Sequence, residues 1–336
     1  MTRIRIYPIA TDSAGCFVQR LKMPLDALEA NYPDEFEVCW TCEPKAGDGD
    51  VRSVVLGQRI MGNGTEGDPR WLDYCRNPGI MAVYEIDDDI LDLDPGNTVP
   101  YSIFTPNRAG TIANIAAADW VITSTPRLAI KMERVKNEHD PDRWDCIMMA
   151  PNCVADGSVI ERPSGGRDDG LPITIGWAGS MFHQQDFPPS LVEQLAAVRD
   201  AHPDVRWLTI GANYLGWGDH VGWGPMDRYH EALLRMDIGI CPIARTPFNA
   251  SKSWIKALDY MHRGVVPVVE DWGQYPELLC GYRAATPSDW ASVLTHAIKD
   301  LRAGWFDHHA IAERAREFEI SRQIGRWADV FRKAAQ

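Results

Sequence analysis

The sequence predicts an α/β fold in which two doubly wound domains each contain a parallel sheet. Apolar runs of strand length alternate with helical patterns from end to end, as in parallel sheets with crossover helices. A polar stretch rich in glycine and proline, residues 161–172, interrupts this alternation and predicts an interdomain linker. The 336 residues, 45% of them hydrophobic, are enough for two cores of ordinary size.

The first half of the chain predicts an N-terminal Rossmann-like domain over residues 1–160. Its apolar runs indicate strands at residues 4–9, 36–40, 53–56, 80–86, 120–123 and 147–150. Helical patterns fall near residues 21–30, 107–118 and 126–135. The linker at residues 161–172 follows.

The second half predicts a C-terminal Rossmann-like domain over residues 173–310. Strands are expected at residues 173–177, 205–210, 238–240 and 265–269, and helices near residues 190–199, 226–236, 252–263 and 287–301. The tail, residues 308–334, predicts two more helices, and the helical segment at 311–336 is expected to pack back on the N-terminal domain. Ligands of such sheets bind at the carboxyl ends of strands, so we expect a site in a cleft between the domains.

The segment at residues 237–270 is the most informative part of the chain. It predicts a β-loop-α-β unit whose helix, over about residues 252–263, is ended by Gly264, and such a helix start is suited to holding a phosphate. Four charged residues follow i, i+4, i+7, i+11 spacing and would form one stripe: Lys252, Lys256, Asp259 and Arg263. This pattern suits a nucleotide sugar, with diphosphate at the helix start and ribose at Asp259. The alternative is a solvated face on an ordinary crossover helix.

Composition narrows the class of protein. Lys and Arg total 34 against 47 Asp and Glu, and the formal charge of −13 disfavours a protein that holds duplex DNA through its phosphates. No apolar run approaches the roughly 20 residues that span a bilayer, and the amino terminus has no signal core. The eight cysteines are scattered, as in a reducing compartment. We therefore expect a cytoplasmic protein (in the host cytoplasm if it is viral) without a membrane span.

A dinucleotide oxidoreductase is disfavoured for a separate reason. No G-x-G-x-x-G follows an early strand, whereas that motif would bring the backbone close to a pyrophosphate.

Several segments of the sequence resemble retaining glycosyltransferases of the GT-B type, in particular the compact, family 4-like versions found in bacteria and their phages. The resemblance lies at residues 175–180 with His183, 237–242, 252–260, 264–269, 83–89, 118–124 and 150–154. It implies a GT-B fold, with two Rossmann-like doubly wound domains facing a central cleft. It also implies transfer of a sugar from a nucleoside-diphosphate sugar, a UDP- or GDP-sugar, to a hydroxyl acceptor with retention at the anomeric carbon.

In that family two acidic residues, eight positions apart, flank the start of the helix. Asp259 stands at the second position and is expected to hold the nucleotide ribose. Ser251 stands at the first, where the acidic residue contacts the donor sugar, so the sequence departs from the family here.

The resemblance also assigns the diphosphate site. Backbone N–H groups of Lys252, Ser253 and Trp254 would face the diphosphate. Lys252 or Lys256 would add positive charge as the leaving nucleoside diphosphate develops its own charge, which makes both lysines catalytic candidates.

A second donor-binding segment follows the strand at residues 173–177. Its glycines permit close approach of the backbone to a ligand, and Gly179 and Ser180 are expected to contact phosphate or sugar; the alternative is a tight strand-to-helix turn. His183 is a catalytic candidate that could neutralise a phosphate oxygen or hydrogen-bond the sugar. The alternative is a solvated loop histidine.

The first half carries an acidic run without a basic residue: Glu85, Asp87, Asp88, Asp89, Asp92 and Asp94. Hard cations prefer such oxygen ligands, as in the Asp-x-Asp clamp of GT-A enzymes, but the phosphate site of the second half makes a metal unnecessary. We expect no metal and place Asp87 and Asp89 on the acceptor side, with a solvated loop as the alternative. Gly15 lies in the loop after the first strand and is placed on the acceptor side because of that position.

The predicted function is therefore a glycosyltransferase that uses a nucleoside-diphosphate sugar and requires no other cofactor. A protein, a glycan or a small molecule is the expected acceptor, and DNA is a weaker candidate because of the negative charge. Two alternatives stay open. One is a protein that binds a nucleotide sugar without turning it over, which Ser251 favours; the other is a glycosyltransferase acting on modified DNA bases.

Overall fold

Two six-stranded parallel sheets organise the protein in the computed structural model, which describes residues 3–139, 146–162, 171–278 and 281–335. Each sheet belongs to one of two units. Unit 1 comprises Met1–Ala155, Ser251–Ser253 and Ile320–Gln336, and unit 2 comprises Asp156–Ala250 and Trp254–Glu319. The predicted α/β class with two parallel sheets is confirmed. Residues 163–170 of the predicted linker lie outside the described residues.

Unit 1 has the strand order β2-β1-β3-β4-β5-β6. Its elements are β1 (Arg3–Ile9), α1 (Gly15–Phe17), a π-helical turn (Val18–Lys22), α2 (Met23–Asn31), β2 (Phe36–Val38), β3 (Val51–Gln58), α3 (Pro69–Arg76), β4 (Ile80–Ile86), α4 (Thr98–Phe104), a 3-10 turn (Thr105–Asn107), α5 (Arg108–Ala117), β5 (Trp120–Thr123), α6 (Pro126–His139), β6 (Ile147–Met149) and α14 (Ile320–Ala334).

Helices cover both faces of this sheet, so residues from the two sides of its strands lie in two separate cores. The helix at the end of the chain, α14, supplies much of the packing on one face. Ile324, Trp327 and Phe331 lie on one side of α14 and are buried in the same core as Leu25 of α2 and Ile6 of β1. The last helix therefore belongs to unit 1.

Unit 2 has the strand order β12-β11-β10-β7-β8-β9. Its elements are β7 (Thr174–Gly179), a 3-10 turn (Met181–Asp186), α7 (Pro189–Ala201), β8 (Arg206–Gly211), β9 (Asp219–Val221), α8 (Met226–Leu233), β10 (Ile238–Cys241), α9 (Pro247–Ala250), α10 (Ile255–Met261), β11 (Val266–Glu270), α11 (Tyr275–Leu278), β12 (Tyr282–Ala284), a 3-10 turn (Pro287–Asp289), α12 (Trp290–Ala303) and α13 (His308–Arg316).

Each predicted strand is present, with its ends shifted by a few residues at most. Two edge strands, β9 and β12, were not predicted, because each is three residues long and includes charged or polar side chains, so no apolar run marks it. The helices α3, α4, α9 and α11 were also not predicted; each is eight residues or shorter.

The predicted helix at residues 252–263 is wrong at both ends. The helix α10 begins only at Ile255 and ends at Met261, with Trp254 at its N-cap. Two hydrogen bonds within unit 1 anchor the preceding segment, one at its backbone and one at a side chain. Thr125 Oγ1 donates to the Ser251 carbonyl oxygen (2.9 Å), and Asn152 Nδ2 donates to Ser253 Oγ (2.7 Å).

Gly264 stops this segment, as predicted. Its φ of +68° is the left-handed conformation that glycine adopts readily after a helix. Lys252 and Arg263 therefore lie outside α10, and the predicted stripe of four charges on one helix does not form.

Among the described residues, no helix combines the length and the apolar character that crossing a membrane requires.

Candidate functional site

The carboxyl ends of β7 and β10 meet at one edge of the unit 2 sheet, because the two strands are parallel neighbours. β7 ends at Gly179, and Ser180 begins the 3-10 turn Met181–Asp186 with its Oγ accepting a hydrogen bond from the Phe182 N–H (3.4 Å). Gly179 and Ser180 thus lie at the strand end where ligands of such sheets bind.

Lys256, on α10, reaches this strand end. Its ammonium group donates a hydrogen bond to the Ala178 carbonyl oxygen and lies 5.1 Å from the centroid of the Trp177 ring. Trp177 is buried, so the lysine stem follows an apolar surface while the cation stays at the edge of the sheet. Lys256 therefore does not belong to a solvated helix face, which was the alternative for this residue.

Gly179 provides the space for this arrangement. A Cβ atom at this position would lie 2.6 Å from the Trp177 ring and 2.7 Å from Lys256 Nζ. We expect Gly179→Ala to destabilise the protein by about 1–2 kcal/mol, because the buried indole must shift. Urea unfolding measures this change.

Gly325→Ala is the matched control for Gly179→Ala. It lies within α14, and a Cβ there meets no atom within 4 Å, so alanine should keep or slightly raise stability. Equal stability of the wild type and Gly179→Ala would contradict the close packing around Gly179.

His183 is held by a partner in the same turn. Its Nδ1 lies 2.7 Å from Asp186 Oδ2, its side chain is 17% exposed, and its ring meets the Trp177 ring edge-on at a centroid distance of 6.0 Å. His183 is thus an oriented histidine, and the alternative of a solvated loop histidine is not supported. Trp177 touches both His183 and Lys256, which places the two basic side chains around one indole.

Asp259 is buried on α10. Its Oδ2 accepts a hydrogen bond from the Tyr229 hydroxyl (3.2 Å), while its Oδ1 has no hydrogen-bond partner among the described residues. Burial raises the pKa of Asp259 from 3.8 to about 7, and the positive charges of Lys256 and Arg263 and the Tyr229 hydrogen bond oppose that rise. The residue expected at the ribose is thus a carboxyl group that is costly to ionise.

The side chain of Trp254 has a structural position. It is buried and packs on the Phe318 ring at a centroid distance of 4.4 Å. The predicted contact with a diphosphate concerns the backbone N–H of Trp254, not this side chain.

One group of potential metal ligands occurs among the described residues. His230, Asp259 and His262 offer ligand atoms within 4.8 Å of one another. Burial lowers the pKa of His230 to about 4 and that of His262 to about 3, and the positive charge of Arg263 lowers both further. The charge of Arg263 would also oppose a bound cation, so we interpret the group as neutral imidazoles beside a buried carboxyl.

Ser251, Lys252 and Ser253 lie in unit 1. Ser251 is buried, and Ser253 Oγ is bonded to Asn152 Nδ2 (2.7 Å). Lys252 lies close enough to Asp88 for its charge to lower the pKa of that carboxyl, although burial has the larger, raising effect. These residues are therefore anchored beside the acidic run that follows β4.

The predicted acceptor-side residues differ in their exposure. Asp89 is 1% exposed and forms an ion pair with Lys131. Asp87 is also paired, with Oδ1 3.7 Å from Arg59 Nε, but its side chain is 11% exposed. Gly15 begins α1, and a Cβ atom there would meet open space. Asp87 and Gly15 are therefore more accessible to a ligand than Asp89.

A buried ion pair supports this edge of unit 1. Arg20 Nε and Glu85 Oε1 are 2.7 Å apart and both side chains are fully buried, and Arg20 also donates to the Ala150 carbonyl oxygen (2.7 Å) and to Asn152 Oδ1 (3.2 Å). Burial raises the pKa of Glu85 to about 7 against the effect of Arg20. Through Asn152 this network continues to Ser253.

Sequence reasoning did not assign roles to Trp177, Asp186, Tyr229, Asn249 and Arg59. The spacing of Asp186, three residues after His183, was the one local signal for their pairing. The remaining contacts join residues far apart in the sequence, such as Tyr229 and Asp259 at a separation of 30.

Solved structures with the same fold include an O-GlcNAc transferase and a trehalose-phosphate synthase. Anabaena HepE in complex with UDP and glucose is 13% identical, with 99% of this chain and 100% of that chain covered and a TM-score of 0.60. The α,α-trehalose-phosphate synthase (UDP-forming) of Burkholderia vietnamiensis is 12% identical, with 100% and 98% covered and a TM-score of 0.59. The pneumococcal O-GlcNAc transferase GtfA in complex with UDP and GlcNAc is 10% identical, with 84% and 56% covered and a TM-score of 0.56.

These similarities confirm the GT-B fold expected from the resemblance. The chain spans 56% of the length of GtfA and 57% of that of TarM, which shares the fold. No protein-family model and no curated protein matches the chain.

Proposed function

We propose that the protein is a glycosyltransferase that moves a sugar from a nucleoside-diphosphate donor to a hydroxyl acceptor with retention of anomeric configuration. One observation carries the proposal. At the carboxyl edge of the unit 2 sheet, Lys256 and His183 border the same indole beside Gly179, at the kind of strand end where ligands of parallel sheets bind. The presence of UDP in solved structures of the same fold supports a nucleotide-sugar donor.

The proposed chemistry is electrostatic. As the bond between the anomeric carbon and the diphosphate oxygen breaks, negative charge grows on the diphosphate, and Lys256 and His183 stabilise it. The acceptor hydroxyl forms the new bond to the anomeric carbon, and its proton passes to the departing diphosphate oxygen. The backbone of Gly179 and Ser180 is proposed to contact the donor at the end of β7.

Asp259 is the proposed ribose contact. Its Oδ1 is the carboxylate oxygen without a hydrogen-bond partner among the described residues, so a ribose hydroxyl donating to it would satisfy a buried acceptor. Ser251 occupies the position where the family's acidic residue contacts the sugar, so the choice of sugar rests on other groups.

The acceptor is proposed to be a hydroxyl on a protein, a glycan or a small molecule. The formal charge of −13 makes a DNA acceptor weaker, because phosphate contacts dominate the affinity for DNA. Asp87 is the side chain of unit 1 proposed to meet it, in place of Asp89, whose side chain is only 1% exposed.

A second candidate is a protein that binds a nucleotide sugar without turnover. Ser251 favours it, because the contact that positions the donor sugar is missing. Binding without release of nucleoside diphosphate, across a broad set of acceptors, would distinguish this candidate from the enzyme.

The proposal is tested by thermal unfolding with UDP-glucose, UDP-GlcNAc, GDP-mannose, UDP and GDP. A ligand at 100 times its Kd stabilises the native state by about 2.7 kcal/mol, which corresponds to an increase in Tm of about 5 °C or more. Inorganic phosphate is the control for simple anion binding. No increase in Tm with any nucleotide would overturn the proposal, and slow release of nucleoside diphosphate from a stabilising sugar nucleotide would support the enzyme.

A further inference from the structure

Asp186 is a buried carboxylate that joins three segments of unit 2. It is 2% exposed, at the end of the 3-10 turn that follows β7. Its Oδ2 lies 2.7 Å from His183 Nδ1, and its Oδ1 accepts hydrogen bonds from the Ala244 N–H (2.8 Å) and from Asn249 Nδ2 (2.8 Å). Removing a carboxylate from water is unfavourable unless hydrogen bonds compensate for the lost hydration. Here three hydrogen bonds do so.

The bond to His183 determines which ring nitrogen carries a proton. Asp186 Oδ1 accepts from two N–H groups, as an ionised carboxylate does, and His183 Nδ1 is the donor to Oδ2 when Asp186 is ionised. Nε2 is then an acceptor in the neutral ring and a donor in the protonated ring.

The other two bonds fix the carboxylate itself. Ala244 lies in the loop after β10, and Asn249 lies on α9, where its Nδ2 also donates to the Ala244 carbonyl oxygen (3.0 Å). Asp186 therefore cannot swing toward solvent without breaking contacts to two other segments. The imidazole of His183 is fixed in turn, because its Nδ1 is hydrogen-bonded to Asp186 and its ring contacts the Trp177 ring.

We propose that Asp186 is a positioning residue for His183, which it holds in the Nδ1–H tautomer with Nε2 directed at the donor diphosphate. This inference rests on the proposed function, since the diphosphate is its ligand. A carboxylate that orients a metal-binding histidine changes affinity or activity by about 10- to 100-fold when it is removed, and we expect an effect of the same size here.

The test is a double-mutant cycle with Asp186→Asn, His183→Gln and the double variant. Turnover of UDP-glucose to UDP and the affinity for UDP are measured for each. We expect Asp186→Asn to lower turnover by about 10- to 100-fold, and the double variant to be no worse than His183→Gln, because both changes remove one unit. Gln184→Ala, an exposed change in the same turn, is the matched control and should keep full turnover.

Imidazole 15N NMR of the ligand-free protein gives a readout that a merely structural role would not move. The His183 signal, identified by its loss in His183→Gln, should show Nδ1 protonated in the wild type, and its Nε2 signal should shift when UDP is added. This measurement stands even if Asp186→Asn fails to fold. A wild-type His183 with Nδ1 unprotonated would overturn the inference.

The two levels of the proposal fail differently. If the wild type binds none of UDP, GDP and their sugar nucleotides, the proposed function fails, while the tautomer of His183 still reports on Asp186. If the wild type is active and Asp186→Asn keeps its turnover, the inference about Asp186 fails and the function stands. Additive effects of Asp186→Asn and His183→Gln would also overturn it.

Discussion

Lys256→Met is expected to lower the rate at which the protein releases UDP from UDP-glucose by about 100- to 1000-fold, with a smaller loss in affinity for UDP. The lysine ammonium lies at the carboxyl end of β7, held by the Ala178 carbonyl oxygen and 5.1 Å from the centroid of the Trp177 ring. A cation placed there interacts most strongly when the diphosphate gains charge in the transition state. The rate should therefore suffer more than ground-state binding.

Methionine is chosen because it keeps an apolar stem against Trp177 while it removes the charge. The variant should fold, with a loss of about 1 kcal/mol from the missing hydrogen bond to Ala178, which thermal unfolding checks. Lys299→Met is the matched control, because Lys299 is an exposed lysine of the same unit on α12 and should keep full activity. If a folded Lys256→Met protein released UDP at the wild-type rate, Lys256 would not be a catalytic residue.

Asp259→Asn is expected to stabilise the protein at neutral and alkaline pH and to weaken its affinity for UDP. Burial raises the pKa of Asp259 to about 7, against 3.8 for an ordinary aspartate. Between these two values the folded state holds a proton that the unfolded state releases, so the wild type loses stability as the pH rises. Asparagine has no charge to bury and escapes this loss.

The sign of the pH dependence follows from that difference. The contribution of the wild-type carboxyl is most favourable below pH 3.8 and is lost by the time the pH passes 7. The stability advantage of Asp259→Asn should thus grow between pH 4.5 and pH 8, by at most about 3 kcal/mol, and then stay constant. Urea unfolding of both proteins across this range measures it.

Asp259→Asn should weaken the affinity for UDP, although it stabilises the fold. A carboxylate accepts hydrogen bonds from ribose hydroxyls with both oxygens, whereas asparagine offers one acceptor, so affinity for UDP at pH 8 should fall by about 10- to 100-fold. Asp200→Asn is the control, because its side chain is 68% exposed in the same unit, and neither stability nor affinity should change. A more stable variant with unchanged affinity for UDP would show that Asp259 does not hold the ribose.

The strands show why much of the fold was accessible from the sequence. β4, Ile80–Ile86, is buried for most of its length and apolar except at Glu85, and such a run is visible without knowledge of its neighbours. The edge strands β9 and β12 carry no such run, since one side of each has no strand partner in the described sheet. They were found only in the structure.

The start of α10, in contrast, could not be predicted from the sequence. Helical spacing at residues 252–263 predicted a helix from Lys252, but α10 begins at Ile255. The segment before it is anchored by hydrogen bonds from Thr125 to the Ser251 carbonyl oxygen and from Asn152 to the Ser253 side chain. These partners are 126 and 101 residues away in the chain. Tertiary contacts override a local preference that is worth only a fraction of a kcal/mol per residue.

The sequence by itself determined that the protein is a two-part α/β protein of the GT-B type, and it pointed to Lys256, Asp259 and His183. Patterns of apolar residues and short motifs carry that information, because they depend on neighbours in the chain. The tertiary structure alone decided that Asp259 is buried with a raised pKa, that Lys256 borders Trp177, and that Asp186 is hydrogen-bonded to His183. Burial, charge and hydrogen-bond partners are set by packing between distant residues: the bonds of Asp186 to Ala244 and Asn249 span 58 and 63 residues.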